Sequence, residues 1–315
     1  MVTISALVDS EAPQRADQYL AAIPGGPTRS KLKSGVQSVL INGVRAKLSA
    51  KVKRGDEVSA SWKEAAPVAF LPEDIPLDII YEDGDVTVVN KPQGMVTHPA
   101  PGNWNGTLVN ALLYRWGRGA IPHGGGTVET RPGIVHRLDK DTSGVIVTAR
   151  NPAAEAWLKR QFFERRVKKE YVAIAVGRPP QAKGNIRSRL VRDGRNRKLF
   201  KSVALDAPAG KAAHTVYRCV ACYGPFSLLR LRLKTGRTHQ IRAHLKALGC
   251  PVLGDPLYGA RDKCFPDVSL MLHSRLLSVR LPEREAFSDF AAPVPVRFKQ
   301  VLKALHESYQ KCLPA

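Results

Sequence analysis

Two features are missing from the 315-residue sequence: a long hydrophobic run and a secretory signal. No segment approaches the roughly 20 apolar residues that a membrane-spanning helix needs. Residues Met1–Ala6 lack the basic start and the long apolar stretch of a signal peptide. We therefore expect a cytoplasmic protein that does not bind or span a membrane.

Cysteine is scarce, and its spacing argues against a metal site. Five cysteines, an odd number in a long chain, are typical of a reducing compartment. Cys219 and Cys222 form one Cys-x-x-Cys pair, but no second pair follows at zinc-site spacing. His239 and His244 have no acidic or cysteine partner at a useful offset. We expect five thiols without a shared task and no metal.

The glycine-rich segment 115–130 lacks a phosphate-loop lysine, so a nucleotide site of that kind is excluded.

Acidic residues are also few, since 27 Asp and Glu face 49 Lys and Arg, a formal net charge of +22. Such a balance attracts polyanions and makes binding depend steeply on salt. The basic residues are clustered, which favours a nucleic-acid partner over a merely soluble basic protein. One acid-free cluster comprises Arg29, Lys31, Lys33, Arg45, Lys47, Lys51, Lys53 and Arg54. A second cluster, with Asp193 as its one acid, comprises Arg187, Arg189, Arg192, Arg195, Arg197, Lys198 and Lys201.

The first 60 residues have the pattern of a small basic domain. A helical pattern around residues 15–20 precedes Asn42-Gly43, which lies between apolar runs and is a strong signal for a β-hairpin. We place this domain at residues 13–60 and a proline-containing linker at 61–74.

Residues 75–300 alternate short β-branched runs with turns, which favours a predominantly antiparallel sheet with helices on one side. One helix is clear, because Asn151 can cap it and Pro152 suits its first position. Its basic end, Arg165–Lys169, is explained equally well by the helix dipole and by RNA binding. The fold class expected for the whole chain is α+β, with residues 301–315 as a weakly patterned tail.

The segment His136–Gly144 joins two apolar runs and carries charge where folding seldom needs it. Val145–Thr148 after it predicts a buried strand, so Asp139 is expected on a loop at the edge of a sheet. The plain interpretation is a turn in which Asp139 and Asp141 accept backbone hydrogen bonds and Arg137 is an ion-pair partner.

Motifs along the whole chain favour a catalytic interpretation instead. His136–Gly144 resembles the active-site signature of the RluA-type pseudouridine synthases, enzymes that convert uridine to pseudouridine in RNA. Blocks similar to the family's other motifs follow in the expected order: Ile75–Asp83 with Val88–Met95, Lys169–Tyr171, Thr235–Arg242 and Gly254–Gly259. His98-Pro99 and Gly106–Leu112 look most like the RluD branch, which modifies large-subunit ribosomal RNA. Residues 13–60 resemble an S4 RNA-binding module.

The resemblance implies a fold and a set of roles. It implies a small S4-like α/β domain followed by a mixed, mostly antiparallel catalytic sheet with flanking helices. Asp139 is then the catalytic carboxylate, Arg242 its paired cation, and Tyr171 the ring that stacks on the flipped uracil. Arg137 fills the space that the base leaves. Apart from the resemblance, His136 is most simply a hydrogen-bond donor that stabilises the loop, and we count it with Arg137 among the residues expected to bind RNA. The isomerisation needs no oxidant and no energy source, so no cofactor is expected.

Other expectations concern RNA contacts. We expect phosphate contacts from Arg29, Lys31, Lys33, Arg45 and Lys47. Arg237 is equally well explained as a contact to RNA or as a surface residue, and Tyr171 has the alternative of a core residue in a strand. The residues leave open whether Asp139 attacks the uracil ring, attacks the ribose C1′ or removes a proton.

Two functions of another class remain at this point. A non-catalytic RNA-binding factor for ribosome assembly would explain the charge but gives Asp139, Tyr171 and Arg242 no common task. A metal-dependent nuclease would need a carboxylate cluster that the sequence does not show. Within the catalytic interpretation, tRNA is the alternative to ribosomal RNA. No obligate protein partner is implied.

Overall fold

The computed structural model describes residues 2–29, 32, 35–62, 71–100, 102–117 and 132–310. Lys31 and Lys33 lie outside these ranges, as do residues 118–131 of the glycine-rich segment. The chain divides into two compact units, Met1–Ala69 and Phe70–Ala315. No helix within the described ranges combines the length and the apolar character that crossing a membrane requires.

The first unit is a small α+β structure. Its elements are β1 (Val2–Leu7), β2 (Gln14–Arg15), α1 (Ala16–Ala22), β3 (Val36–Ile41), β4 (Val44–Arg45), β5 (Lys51–Val52) and β6 (Glu57–Trp62). An antiparallel sheet has the strand order β1-β6-β3-β4. The predicted hairpin turn is present, with positive φ at Asn42 and Gly43.

The unit begins earlier than the predicted boundary at residue 13. Strand β1 pairs along the whole length of β6, from Val2 opposite Trp62 to Leu7 opposite Glu57. The two strands are about 50 residues apart in the sequence, and a local pattern does not report a pairing of that range. Val58, Ala60 and Trp62 on β6 are buried in the core of this unit.

The second unit is organised by a ten-stranded sheet. Its strands are β7 (Ile79–Glu82), β8 (Val86–Lys91), β9 (Ser143–Ala149), β10 (Lys168–Val176), β11 (Lys183–Arg192), β12 (Phe200–Val203), β13 (Lys211–Tyr223), β14 (Phe226–Leu233), β15 (Leu272–Val279) and β16 (Ser288–Ala291). The order is β12-β11-β13-β14-β10-β15-β9-β8-β7, and β16 pairs with β15. All these pairs are antiparallel except β9 with β15. The predicted mixed, mostly antiparallel α+β sheet is therefore confirmed.

Helices flank this sheet on both faces, not on one side as the sequence suggested. They are α2 (Leu108–Trp116), α3 (Pro152–Phe163), α4 (Gln240–Ala247) and α5 (Val296–Gln310). Residues alternate across β9, so Ile146 packs into the core that contains Leu112, while Val145 and Val147 pack into the core that contains Leu158 of α3. Both faces of β9 are covered, which explains why its seven residues are all buried.

Residues 301–310 continue helix α5, where the sequence suggested a tail. Phe298, Val301 and Leu305 recur at three- and four-residue steps and are buried in the main core. The helix begins only at Val296, so most of its stripe lies beyond the boundary that the pattern suggested. Asn151, by contrast, caps α3 as expected, because its side chain accepts a hydrogen bond from Ala154 N at 2.8 Å.

Candidate active site

The segment from His136 to Gly144 forms a loop that leads directly into β9. Two backbone contacts hold it: Thr142 N donates to Asp139 O at 3.1 Å, and Gly94 N donates to Lys140 O at 2.9 Å. The Asp139 side chain is 17% exposed and faces a cavity of about 420 Å³. Cavities of this size are typical of small-molecule sites in proteins.

The cavity brings together residues that are far apart in the sequence. Its walls include Arg137, Asp139, Tyr171, Arg237 and Arg242. The loop before β9 supplies the first two, β10 supplies Tyr171, and the turn and helix at residues 235–247 supply both distal arginines.

Arg242 is held by a carboxylate that the sequence analysis did not assign. Its Nε and Nη2 atoms donate to Asp255 at 2.7 Å each, a bidentate pair that is buried on both sides. The remaining Nη1 atom lies 3.8 Å from Asp139 Oδ2. Burial would lower the pKa of Arg242, but the hydrogen bond and charge of Asp255, with the charge of Asp139, outweigh it and raise the pKa. Asp255 therefore aims a permanent cation at Asp139.

His239 is a second neighbour of Asp139, with 3.8 Å between its Nε2 and Asp139 Oδ2. It caps helix α4 in the left-handed conformation, at φ 54°, and its Nδ1 is 3.2 Å from the Tyr258 hydroxyl. Burial lowers the pKa of His239, although the charge of Asp139 opposes the shift. The ring is thus neutral at pH 7. Sequence reasoning considered His239 only as a metal ligand, and its position in the block Thr235–Arg242 was the available signal.

Tyr171 is buried in the cavity wall, between strands β14 and β15. Burial, together with the charge of Asp139, raises the pKa of Tyr171 to about 12, although a hydrogen bond with Ser274 opposes the shift. The hydroxyl therefore remains protonated at neutral pH. The ring is available for contact, but the phenol is not a base.

His136 accepts a hydrogen bond, whereas the sequence analysis expected it to donate one. Its Nε2 atom receives the backbone N–H of Val147 at 3.0 Å, and its ring stacks on Phe162 with the centroids 4.5 Å apart. Burial lowers the pKa of His136 to about 3, with a further contribution from the charge of Lys169. A neutral imidazole fixed in this way ties the signature loop to β9.

Lys91 also holds the signature loop, through a hydrogen bond to its backbone, and the sequence analysis assigned Lys91 no role. It is fully buried on β8, and its Nζ atom donates to the carbonyl oxygens of Pro92, Met95 and Lys140 at 2.8–3.2 Å. Burial lowers the pKa of Lys91 to about 7, although the charges of Asp139 and Asp141 oppose the shift. The contact with Lys140 O fixes the backbone next to Asp139.

The arginines expected to contact RNA have different surroundings. Arg137 is exposed at the cavity mouth and forms no ion pair with any residue that the structure describes. Arg237 lines the cavity, and its Nε donates to Ala212 O at 3.2 Å. In the first unit, Arg45 and Lys47 are exposed. Arg29 instead donates to the buried carboxylate of Asp17 at 2.8 Å, so it has a structural task in that unit.

The chain is similar to known RNA-modifying proteins. Residues 85–247 match the model of the RNA pseudouridylate synthase family. A ribosomal large subunit pseudouridine synthase D from Borreliella burgdorferi is 41% identical over 300 residues, which cover 93% of this chain and 90% of the relative. An RNA pseudouridine synthase from Chlorobaculum parvum is 40% identical, with 94% and 95% covered. The solved structure of human RNA pseudouridylate synthase domain containing 1 superposes with a TM-score of 0.57 at 26% identity, covering 74% of this chain and 96% of that one.

Proposed function

Because the chain belongs to the RNA pseudouridine synthase family, of the RluA/RluD type, we propose that it isomerises specific uridines of large-subunit ribosomal RNA with Asp139 as the catalytic carboxylate. The enzyme is an isomerase that acts on RNA. The observation that carries the assignment of the site is the meeting of Asp139, Tyr171 and Arg242 in one cavity.

The reaction moves one bond of the uracil. The N1–C1′ bond breaks, the ring turns, and a C5–C1′ bond forms, while C5 loses a proton and N1 gains one. Atoms and electrons balance within the nucleotide, so the chemistry needs no external oxidant or reductant. Asp139 serves as the nucleophile or the base, at the ring, at C1′ or at a proton of the ribose.

Arg242 keeps Asp139 ready for either task. A partly buried carboxylate loses the stabilisation of water, and a cation at 3.8 Å replaces part of it. Because Asp255 holds the guanidinium at two atoms, the cation stays in place when the uridine leaves. Tyr171 provides a protonated aromatic wall on which the flipped uracil stacks.

Extracting a uridine from structured RNA costs a few kcal/mol, and Arg137 offsets part of that cost. Its guanidinium is planar, exposed and without an ion-pair partner among the described residues, so it can enter the stack in place of the base.

The first unit supports the choice of a large RNA as substrate. We propose that it is an S4-like RNA-binding domain, whose exposed Arg45 and Lys47 contact phosphates together with Lys31 and Lys33. The net charge of +22 fits a polyanionic partner. Ribosomal RNA is favoured over tRNA because three of the relatives are named as synthases of the ribosomal large subunit.

The decisive experiment is a transcriptome-wide map of pseudouridine in the source organism with and without this gene. We expect one or a few sites in large-subunit ribosomal RNA to disappear with the gene and to return with the wild-type copy but not with Asp139→Asn. Loss of sites in tRNA alone would replace the proposed substrate. An unchanged map would contradict the proposed function.

A further inference from the structure

The mouth of the cavity contains an aromatic side chain that the fold does not use. Phe163, the last residue of helix α3, is 88% exposed and lines the cavity. Covering such a side chain with another apolar surface is favourable, so Phe163 offers a contact for a ligand at the cavity.

The neighbouring residue shows that Phe163 is not simply the edge of a core. Phe162 is partly buried against the core that contains Leu158, stacks on His136, and has the Lys169 ammonium 5.8 Å from its ring. Phe162 therefore has packing partners, whereas its neighbour Phe163 projects into solvent at the mouth of the cavity.

Three cations in the cavity wall lie near one another. Arg165, Lys169 and Arg237 form no ion pair with any residue in the described ranges. Lys169 reaches across to the loop before α4, since a Cβ on Gly236 would lie 3.4 Å from its Nζ. Its pKa is lowered, first by burial and then by the charges of Arg165 and Arg237. Three like charges therefore lie close together, an arrangement that attracts an anion.

An aromatic ring beside unpaired cations is the pattern by which proteins hold unpaired nucleotides. We propose that Phe163, Arg165 and Lys169 form a subsite for the nucleotide next to the reacting uridine. Phe163 stacks on the base of that nucleotide, and Arg165 and Lys169 hold its phosphate. The inference rests on the proposed function, and it adds that the enzyme takes two unstacked nucleotides, not one.

The backbone at the end of α3 brings the residues of this subsite to one cavity. Arg165 adopts φ 58°, a left-handed conformation that a residue with a side chain rarely takes. The chain turns sharply there, from Glu164 into Val167 and strand β10. This turn places Phe163 and Lys169 on the wall of one cavity although they are six positions apart in the sequence.

The test uses the full-length enzyme in excess over an unmodified transcript of large-subunit ribosomal RNA from the source organism. Single-turnover assays give the half-saturating enzyme concentration and the limiting rate. For Phe163→Ala, we expect the half-saturating concentration to rise about 5- to 150-fold, the range of one lost base stack, while the limiting rate changes less than threefold. Phe163→Trp should keep the wild-type value, because an indole also stacks.

Tyr114→Ala is the matched control, since Tyr114 is an exposed aromatic residue of α2 that does not line the cavity. It should leave both parameters unchanged. Lys169→Met should flatten the dependence of log half-saturating concentration on log salt by about 0.7–0.9, the effect of one phosphate contact. Lys168→Met, which removes the same charge from the preceding residue outside the cavity, should not.

A nucleotide-level cycle identifies the contact. A short RNA around a converted uridine is made with an abasic nucleotide on either side of it. One of the two abasic RNAs should raise the half-saturating concentration of the wild type as much as Phe163→Ala does on the intact RNA. The same abasic RNA should not raise the half-saturating concentration of Phe163→Ala any further. Equal effects of both abasic RNAs on wild type and Phe163→Ala would overturn the subsite.

The outcomes separate the subsite from the proposed function. If the wild type converts the transcript and Phe163→Ala has the same half-saturating concentration as the wild type, the subsite alone is overturned. If the wild type converts neither this transcript nor tRNA, the proposed function fails. The subsite is then judged by fluorescence titration with an oligouridylate of nine nucleotides, where equal affinity of wild type and Phe163→Ala would overturn it too.

Discussion

Two carboxylates of the signature loop have different surroundings. Asp139 has the Arg242 guanidinium at 3.8 Å and faces the cavity, whereas Asp141 is two residues further along and does not line it. This difference supports the proposal that Asp139 is the catalytic carboxylate and Asp141 a turn residue of the same motif.

Asp139→Asn should abolish pseudouridine formation, with a loss of at least about a thousandfold, because the amide can neither attack nor accept the proton. RNA affinity should stay within a few-fold, since the change is isosteric and removes a negative charge from a polyanion site. Pseudouridine is measured on the transcript after single turnover, and binding is measured in parallel. Asp141→Asn serves as the control and should remain active. A turnover of Asp139→Asn near that of the wild type would refute the assignment.

The Arg242–Asp255 pair allows stability to be separated from chemistry. Arg242→Met leaves Asp255 buried without its cation, which should cost about 3–5 kcal/mol in the free energy of unfolding. The double variant Arg242→Met/Asp255→Leu removes both charges and should recover most of that stability but no activity, because Asp139 still lacks its cation. Urea unfolding and single-turnover conversion measure the two effects. An active double variant would show that Arg242 has only a structural task.

At the scale of elements, the parallel pairing of β9 with β15 depends on Gly144. Gly144 has φ 114°, and a Cβ there would lie 2.1 Å from the backbone oxygen of Ser274. Gly144→Ala should therefore destabilise the protein by more than about 2 kcal/mol and disturb the catalytic loop. Gly94→Ala is a suitable comparison, because Gly94 also has positive φ, 85°, but has open space around its Cβ position. Unfolding free energies that match between the two variants would mean that the close approach is unimportant.

Helix α5 contributes to the core with residues that the sequence pattern left in a tail. Leu305→Ala should cost about 2–5 kcal/mol of unfolding free energy, the range for a leucine truncated in a core. Lys303→Ala, on the exposed side of the same helix, should change it by less than about 0.5 kcal/mol. Chemical denaturation of both variants checks this, and a Leu305→Ala variant as stable as Lys303→Ala would argue for a detached tail.

At the scale of the whole molecule, we propose that the first unit binds RNA and the second unit carries out the chemistry. Asp139, Tyr171, Arg242 and Asp255 all belong to the second unit, as do the described residues that line the cavity, whereas the first unit is rich in basic residues. Each unit has a hydrophobic core of its own. We expect the second unit to fold alone and to convert uridine at high enzyme concentration.

Removing residues 1–65 should weaken RNA binding and flatten the slope of log affinity against log salt by several units, because each lost phosphate contact removes somewhat less than one counterion. Salt titrations of both forms on one RNA measure the slopes. Arg45→Gln with Lys47→Gln in the full chain is the graded comparison, and should account for up to about two contacts. An unchanged slope after the deletion would show that the first unit does not bind RNA, and a folded but inactive second unit would show that the units share the active site.

The sequence by itself determined the family, the α+β class and the principal residues of the cavity. Motifs were sufficient to predict the cavity residues, because Asp139, Tyr171 and Arg242 each lie in a short block whose residue order resembles a motif of the family. Local signals were equally sufficient for the Asn42-Gly43 turn and the Asn151 cap, since both depend on neighbouring residues only.

Only the tertiary structure decided the contacts that join distant segments. Asp255 holds Arg242 from 13 residues away, the Lys91 ammonium holds the Lys140 carbonyl from 49 residues away, and β1 pairs with β6. Such contacts depend on where the sheet brings two pieces of chain together, and no periodicity within either piece encodes that meeting. Burying a charge is unfavourable unless a partner compensates it. The roles of Asp255 and Lys91 could therefore be assigned only once the structure showed their partners.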